Sequence, residues 1–173
     1  FRDEHLLVFA RNGIDISFVR KVRRATTKYR LQYQGEERTL TCLARCEPIE
    51  PKDIRMLRGN VNAVHLGPIA GEISLETVNE AARSNCVTLL DLQGVIRKFG
   101  IDGRISLSKN RFLPQIVEKV TIVKTGLHEG EVATNAKDAE EIASALVNMG
   151  CKIAIITSGG KGSYVFTCDG AHL

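Results

Sequence analysis

The stretch Ile153–Phe166, IAIITSGGKGSYVF, sets two apolar runs rich in β-branched residues around a small glycine loop. Glycine lacks a Cβ and tolerates positive φ, so such a cluster lets the backbone approach something closely, usually another strand or a phosphate. Two phosphate motifs can be tested directly. A P-loop needs Gly five residues before the Gly-Lys pair and Ser or Thr after the Lys, whereas position 155 is Ile and Lys161 is followed by Gly162. The dinucleotide fingerprint needs a helix after its glycines, and SYVFTC is another strand-like run. The loop therefore reads as a strand-to-strand turn with exposed amides, either a plain hairpin turn or an anion-binding nest.

Upstream of this loop the order is regular. VNAVHLG, CVTLLDL, TIVKT and CKIAIIT are apolar runs of strand length. Between them lie SLETVNEAARSN, with Ser74 as cap, RFLPQIVEKV, and KDAEEIASALVNMG, with Ala139, Ile142, Ala143, Leu146 and Met149 in helical register. Strands alternating with helices predict a mostly parallel sheet covered on both faces. Ligands then belong outside the carboxyl ends of the strands, which selects the loops HLGPIAGE, DLQGVIRK, KTGLHEGE and TSGGKGS. His65, ending the first of these strands, reads as a packed histidine.

The first part of the chain differs. DEHLLVFARNG reads as a helix capped by Asp3 and stopped by Gly13. From Thr27 to Arg45 the period switches to two, with Tyr29, Leu31 and Tyr33 on one face, which predicts an antiparallel hairpin. Its apolar face needs cover. A short helix entered through Pro51 follows.

At 173 residues the chain can bury a core without disulfides, and 24 Lys+Arg against 20 Asp+Glu, evenly spread, gives no footprint for nucleic acid. Five cysteines at 42, 46, 86, 151 and 168 form no CxxC pair, which points to a reduced, cytoplasmic chain. Cys42 and Cys46 lie in a strand-like pattern whose spacing does not converge two thiolates on zinc. No apolar run of ~18 residues offers a membrane span. Phe1 opens no signal-peptide pattern, and a start inside a helical stretch without Met suggests a fragment.

GPIAGEIS, LLDLQGVIR, VKTGLHEGEVA and ITSGGKGSYVF, in this order and spacing, resemble the central part of the ribokinase-like (phosphofructokinase B type) sugar and nucleoside kinases. The branch carrying Asp-x-Gln-Gly is the most similar. GIDISFVRKV and TTKYRLQYQGEERTL match as well, the latter as the β-lid folded over the substrate. The resemblance implies a three-layer αβα, mostly parallel sheet: residues 1–173 as the central part of one kinase domain, with a small β-lid inserted at about 17–48. It also implies transfer of the γ-phosphoryl of ATP to a hydroxyl of a sugar, or of a nucleoside, with Mg²⁺ as the metal. A ligand-binding domain without catalysis is the reading from another class. A homodimer through the lid is a further implication.

Residue by residue, the resemblance puts Thr157, Gly159 and Gly162 beside the nucleotide phosphates, with Lys124 near them. The Asn-x-x-Glu motif falls on GLHE, so Glu129 matches the residue that holds magnesium through water, while Gly126 stands where Asn would be. The same Glu129 also reads as a carboxylate at a helix N-terminus. Asp91 and Arg97 fall on the substrate or phosphate side, Arg97 two residues later than the arginine of the commoner form. The family's Gly-Ala-Gly-Asp segment, with the catalytic base, would follow Leu173, and its first strands would precede Phe1. The 173 residues alone are accordingly expected to be inactive.

Overall fold

The computed structural model describes residues 3–35, 37–168 and 170–172. Helix α1 (Asp3–Arg11) leads to an antiparallel hairpin of β1 (Lys28–Gln34) and β2 (Glu37–Ala44). Next come α2 (Pro51–Arg55), β3 (Ala63–Leu66), α3 (Leu75–Ala82), β4 (Val87–Asp91) and α4 (Gln93–Ile96). A second small hairpin joins β5 (Arg97–Phe99) to β6 (Ile105–Leu107), ahead of α5 (Leu113–Val117), β7 (Ile122–Gly126), α6 (Leu127–Thr134) and α7 (Ala139–Asn148). The last strands are β8 (Ile153–Thr157), β9 (Ser163–Thr167) and β10 (Gly170–His172).

The central sheet has the order β10-β9-β8-β7-β4-β3, parallel from β3 through β8 and antiparallel at β9 and β10. The parallel part follows from the βαβ alternation, since parallel strands need a crossover that a helix supplies. The cap predicted at Ser74 is made: its hydroxyl accepts from the Thr77 amide at 3.3 Å. Asp138 does the same for α7, accepting from the Glu141 amide at 2.8 Å. Each satisfies a backbone donor that the first helical turn leaves orphaned.

Burial alternates along the inner strands. On one face Val64, Leu66, Leu90, Val123, Ala154 and Ile156 are buried, packed with Val78, Ile142, Ala143 and Leu146 from α3 and α7. Leu89, Ile122, Ile153 and Ile155, on the other face, are only half-buried. The two faces are thus covered unequally. His65 corrects the sequence reading: it is exposed, because β3 is the sheet's edge strand and His65 lies on its open side. DLQGVIRK and KTGLHEGE are also more ordered than loops, since each becomes a strand end followed at once by a helix, α4 or α6.

At one corner the buried Glu80 meets three guanidinium groups, from Arg58 at 2.7 Å, Arg55 at 3.3 Å and Arg83 at 3.5 Å. Burial alone would raise this carboxyl. The three arginines outweigh burial and hold it below its ordinary value, so the cluster ties α2 to α3 as an ionised group.

Candidate functional site

The site is built at the carboxyl ends of β4, β7 and β8, where a cleft of about 1180 Å³ opens. Gln93 and Arg97 line it after β4, Gly126 to Glu129 after β7, and Thr157 to Gly159 after β8. Thr39 and Leu40 of the β1–β2 hairpin also line it, and Ile105 to Leu107 of β6 form a further wall.

A chain of polar contacts that begins in the strand register leads into the cleft. Asp91 lies opposite Lys124 in the β4–β7 pairing, and Lys124 Nζ bonds Asp91 Oδ2 at 2.8 Å. Asp91 Oδ1 accepts from the Gln93 amide at 3.2 Å, and Gln93 Nε2 donates to Glu129 Oε1 at 3.3 Å. Glu129 Oε2 in turn accepts from the Gly126 amide at 3.2 Å, at the start of α6. This carboxylate therefore satisfies a helix-terminal donor, as one of its two sequence readings has it, and it also lines the cleft. A Cβ at Gly126 would sit 3.0 Å from Glu129 Oε2. The carboxylate occupies the space that a side chain at 126 would enter.

The glycine loop between β8 and β9 is a single 3-10 turn, Gly159–Lys161. Its ends are tied by Ser158 N donating to Gly162 O at 2.9 Å and Gly162 N donating to Gly159 O at 3.2 Å. Gly159 and Gly162 have φ of 54° and 94°, backbone that glycine adopts without strain. No heavy atom lies within 4 Å of the Cβ position at Gly159 or Gly160, so the turn presents open backbone to its surroundings. Thr157 anchors it by donating to the Thr125 carbonyl at 3.3 Å.

Arg97, Glu129, Thr157 and Gly159 thus share one cleft, with Asp91 and Lys124 joined to it through Gln93. Gly162 closes the turn but does not line the cleft. Arg97 turns toward the HLGPIAGE loop, where its Nη1 donates to the Ile69 carbonyl at 3.0 Å. Among residues that the sequence did not single out, Gln93 bridges the two carboxylates. Gly94 packs against backbone: a Cβ there would lie 2.4 Å from the Pro68 carbonyl carbon and oxygen. Lone glutamines and glycines in a motif carry no periodic signal that marks such roles. No cluster of three or more His, Cys, Asp or Glu able to hold a metal occurs among the described residues. Nor does any described helix have the length and apolarity to cross a membrane.

No curated protein matches the chain. Among solved structures, a pyrophosphate-dependent kinase in the ribokinase family, determined as a sulfate complex, superposes with a TM-score of 0.83 at 21% identity, over 97% of this chain and 60% of that one. A nucleoside kinase from Burkholderia thailandensis, in complex with inosine, gives 0.72 at 15% identity over 98% of this chain and 52% of the other. Arabidopsis thaliana ribokinase, complexed with ribose and ATP, gives 0.64 at 16% identity over 98% and 55%. The chain spans less than two thirds of each of these proteins, and the likeness establishes the α/β ribokinase-like fold. The profile of the pfkB family of carbohydrate kinases matches residues 1–173, and the chain belongs to that family.

Proposed function

We propose that the protein containing these residues moves the γ-phosphoryl group of ATP to a hydroxyl of a sugar. The observation that carries this reading is the convergence of Thr157 to Gly159, at the start of the glycine turn, with Glu129 and Arg97 on a single cleft at the strand ends. Phosphoryl transfer depends mostly on positioning and on stabilising spread negative charge, and these groups suit that demand. The amides of Gly159 and Gly160 receive phosphate oxygens beside Thr157, and Gly162 closes the turn that presents them. Lys124 adds positive charge under them, its own position fixed by Asp91.

Mg²⁺ fits the donor set in one manner only. Magnesium usually keeps several waters and is held by one or two carboxylates with substrate phosphates rather than by an all-protein cage. The lack of a three-ligand cluster among the described residues and the cleft-facing Glu129 agree with that mode. Glu129 would hold the ion through water, and the ion would neutralise phosphate charge. Arg97 takes the acceptor side. The β1–β2 hairpin acts as a lid, and the exposed Leu31 and Tyr33 on it support pairing with a second copy of the chain. The cysteines are free, which agrees with a cytoplasmic protein.

The decisive experiment incubates the full-length protein with radiolabelled ATP or pyrophosphate and with ribose, myo-inositol or inosine. The pyrophosphate arm is included because the pyrophosphate-dependent neighbour superposes with the higher TM-score, 0.83 against 0.64 for the ATP-complexed ribokinase. Transfer from ATP to ribose or myo-inositol, weakened in Gly159→Val chiefly through the KM for ATP, is the expected result. Transfer to inosine alone moves the assignment to a nucleoside kinase. A Gly159→Val variant that loses donor and acceptor affinity equally overturns the role given to the turn.

A further inference from the structure

Two side chains converge on a backbone atom outside the glycine turn, the carbonyl oxygen of Ile69. Tyr29 Oη, from β1, donates to it at 2.5 Å across 40 residues of sequence. Arg97 Nη1, from the cleft wall, donates to the same oxygen at 3.0 Å. The Arg97 guanidinium also lies over the Tyr29 ring, 5.7 Å from its centroid. A hairpin residue, a cleft residue and a loop carbonyl thus form one closed contact set.

The loop that offers this carbonyl is held from behind. Glu72 accepts from the Ile69 amide at 3.1 Å and from the Ala70 amide at 2.6 Å. Gly94 presses on the Pro68 backbone from the other side, with no room for a side chain. The acceptor oxygen is therefore presented in a fixed place, and what moves against it is the hairpin. Tyr29 is the one residue of β1 that is not exposed, so this strand has a single side-chain anchor. Burial pushes the Tyr29 phenol above its ordinary value, so the hydroxyl keeps its proton and donates.

Arg97 has no carboxylate partner among the described salt bridges, and its contacts with Ile69 and Tyr29 leave its charge uncompensated beside the cleft. Any acceptor seated there meets a guanidinium whose direction is set by the tyrosine stacked on it and the carbonyl it shares. A planar, delocalised cation of this kind is well suited to stacking and directed hydrogen bonding at once.

We propose that Tyr29 is a positioning residue for the acceptor, acting through Arg97: its hydroxyl latches the β1–β2 hairpin to the Ile69 carbonyl, and the latched hairpin fixes the guanidinium that faces the acceptor. The proposal rests on the kinase reading for its catalytic consequence, but the latch itself is a property of the chain.

Tyr29→Phe removes the hydroxyl and leaves the ring under Arg97. In the full-length protein, with whichever of ribose, myo-inositol or inosine is the best acceptor, the acceptor KM should rise roughly three- to tenfold, the span of a lost net hydrogen bond. The donor KM and melting temperature should stay unchanged. Hydrogen exchange of the amides of residues 28–44 should quicken by a similar factor. Arg97→Lys, which keeps the charge but not the plane, should raise the acceptor KM and quicken the same amides. An unchanged exchange rate in Tyr29→Phe overturns the latch, and faster exchange with an unchanged acceptor KM overturns the positioning role. Equal loss of donor KM, acceptor KM and melting temperature would mean a general structural role and also overturns it. If no acceptor is phosphorylated by the unsubstituted protein, the functional reading fails by itself, while the exchange measurement still decides the latch.

Discussion

Leu90 on the central sheet and Leu31 on the β1–β2 hairpin are both apolar strand residues, yet Leu90 is fully buried and Leu31 is 47% exposed. Leu90 belongs to a hydrophobic core with twenty other buried residues. The hairpin is fixed by a handful of named contacts: Tyr29 on Ile69, the Cys42 amide on the Gly103 carbonyl at 2.8 Å, and a bridge between Thr41 and Arg104. Position in the sheet is therefore redundantly determined, whereas position of the hairpin depends on single atoms. Substitutions in the first region should act on global stability, and those in the second on where the hairpin lies.

The largest expected effect tests that division directly. Leu90→Ala should destabilise the full-length protein by about 2–5 kcal/mol, since it removes buried methyl groups from a site that cannot fully collapse. Leu31→Ala should change it by no more than about 0.5 kcal/mol. Denaturant unfolding of dilute protein measures both. In sedimentation the Leu31→Ala variant should shift toward monomer, as follows if the hairpin pairs with a second copy. Comparable losses of stability from the two variants would erase the distinction between the regions.

Gly103→Ala comes next, aimed at the hairpin's backbone anchor. Its φ is 79°, and a Cβ there would stand 2.4 Å from the Cys42 carbonyl oxygen. The alanine thus meets both an unfavourable backbone conformation and a clash with β2, at a cost of about 1–3 kcal/mol. Because the clash is relieved by lifting the hairpin, exchange of the amides of residues 28–44 should quicken while the melting temperature of the core holds. A fall in core stability with unchanged hairpin exchange would show that the β5–β6 segment belongs to the rigid part of the molecule instead.

The same contrast explains what could be read from the sequence. The alternation of apolar runs and helical stripes reveals β4, β7, β8, α3 and α7, because long periodic segments, one of them opened by a cap at Ser74, announce themselves. Helix α4 has four residues and each strand of the β5–β6 hairpin three, too few for any period to be recognised. His65 was misread because the apolar character of its strand does not say which strand is the edge. In the candidate site, the strand-to-strand turn between β8 and β9 was legible from its glycines. The pairing of Asp91 with Lys124 depends on β4 lying beside β7, and strand order is not written in any one segment. Tyr29 read as apolar cover for a hairpin face, since nothing near it in sequence indicates a carbonyl 40 residues away.

The smallest effect concerns Cys151, on the core side of the comparison. This thiol is buried at the entrance to β8, and burial pushes its pKa to about 11 from an ordinary 9.0, against backbone hydrogen bonds that lower it. The folded value is raised, so the stabilisation tied to the protonated thiol is complete below pH 9 and is lost as pH climbs from 9 toward 11, where the unfolded chain ionises first. By pH 10, above the unfolded value and below the folded one, about 1 kcal/mol of it is lost. Other groups titrate in that range, so the informative quantity is the difference in unfolding free energy between the unsubstituted protein and Cys151→Ala, measured at pH 8 and pH 10. That difference should shift by about 1 kcal/mol in favour of the alanine variant. Alkylation should sharpen the comparison further: the half-buried Cys42, on the hairpin, should react through local opening, and Cys151 only at the rate of global unfolding. Equal reaction rates at the two thiols would mean that hairpin and core open together, and the division between them would have to be abandoned.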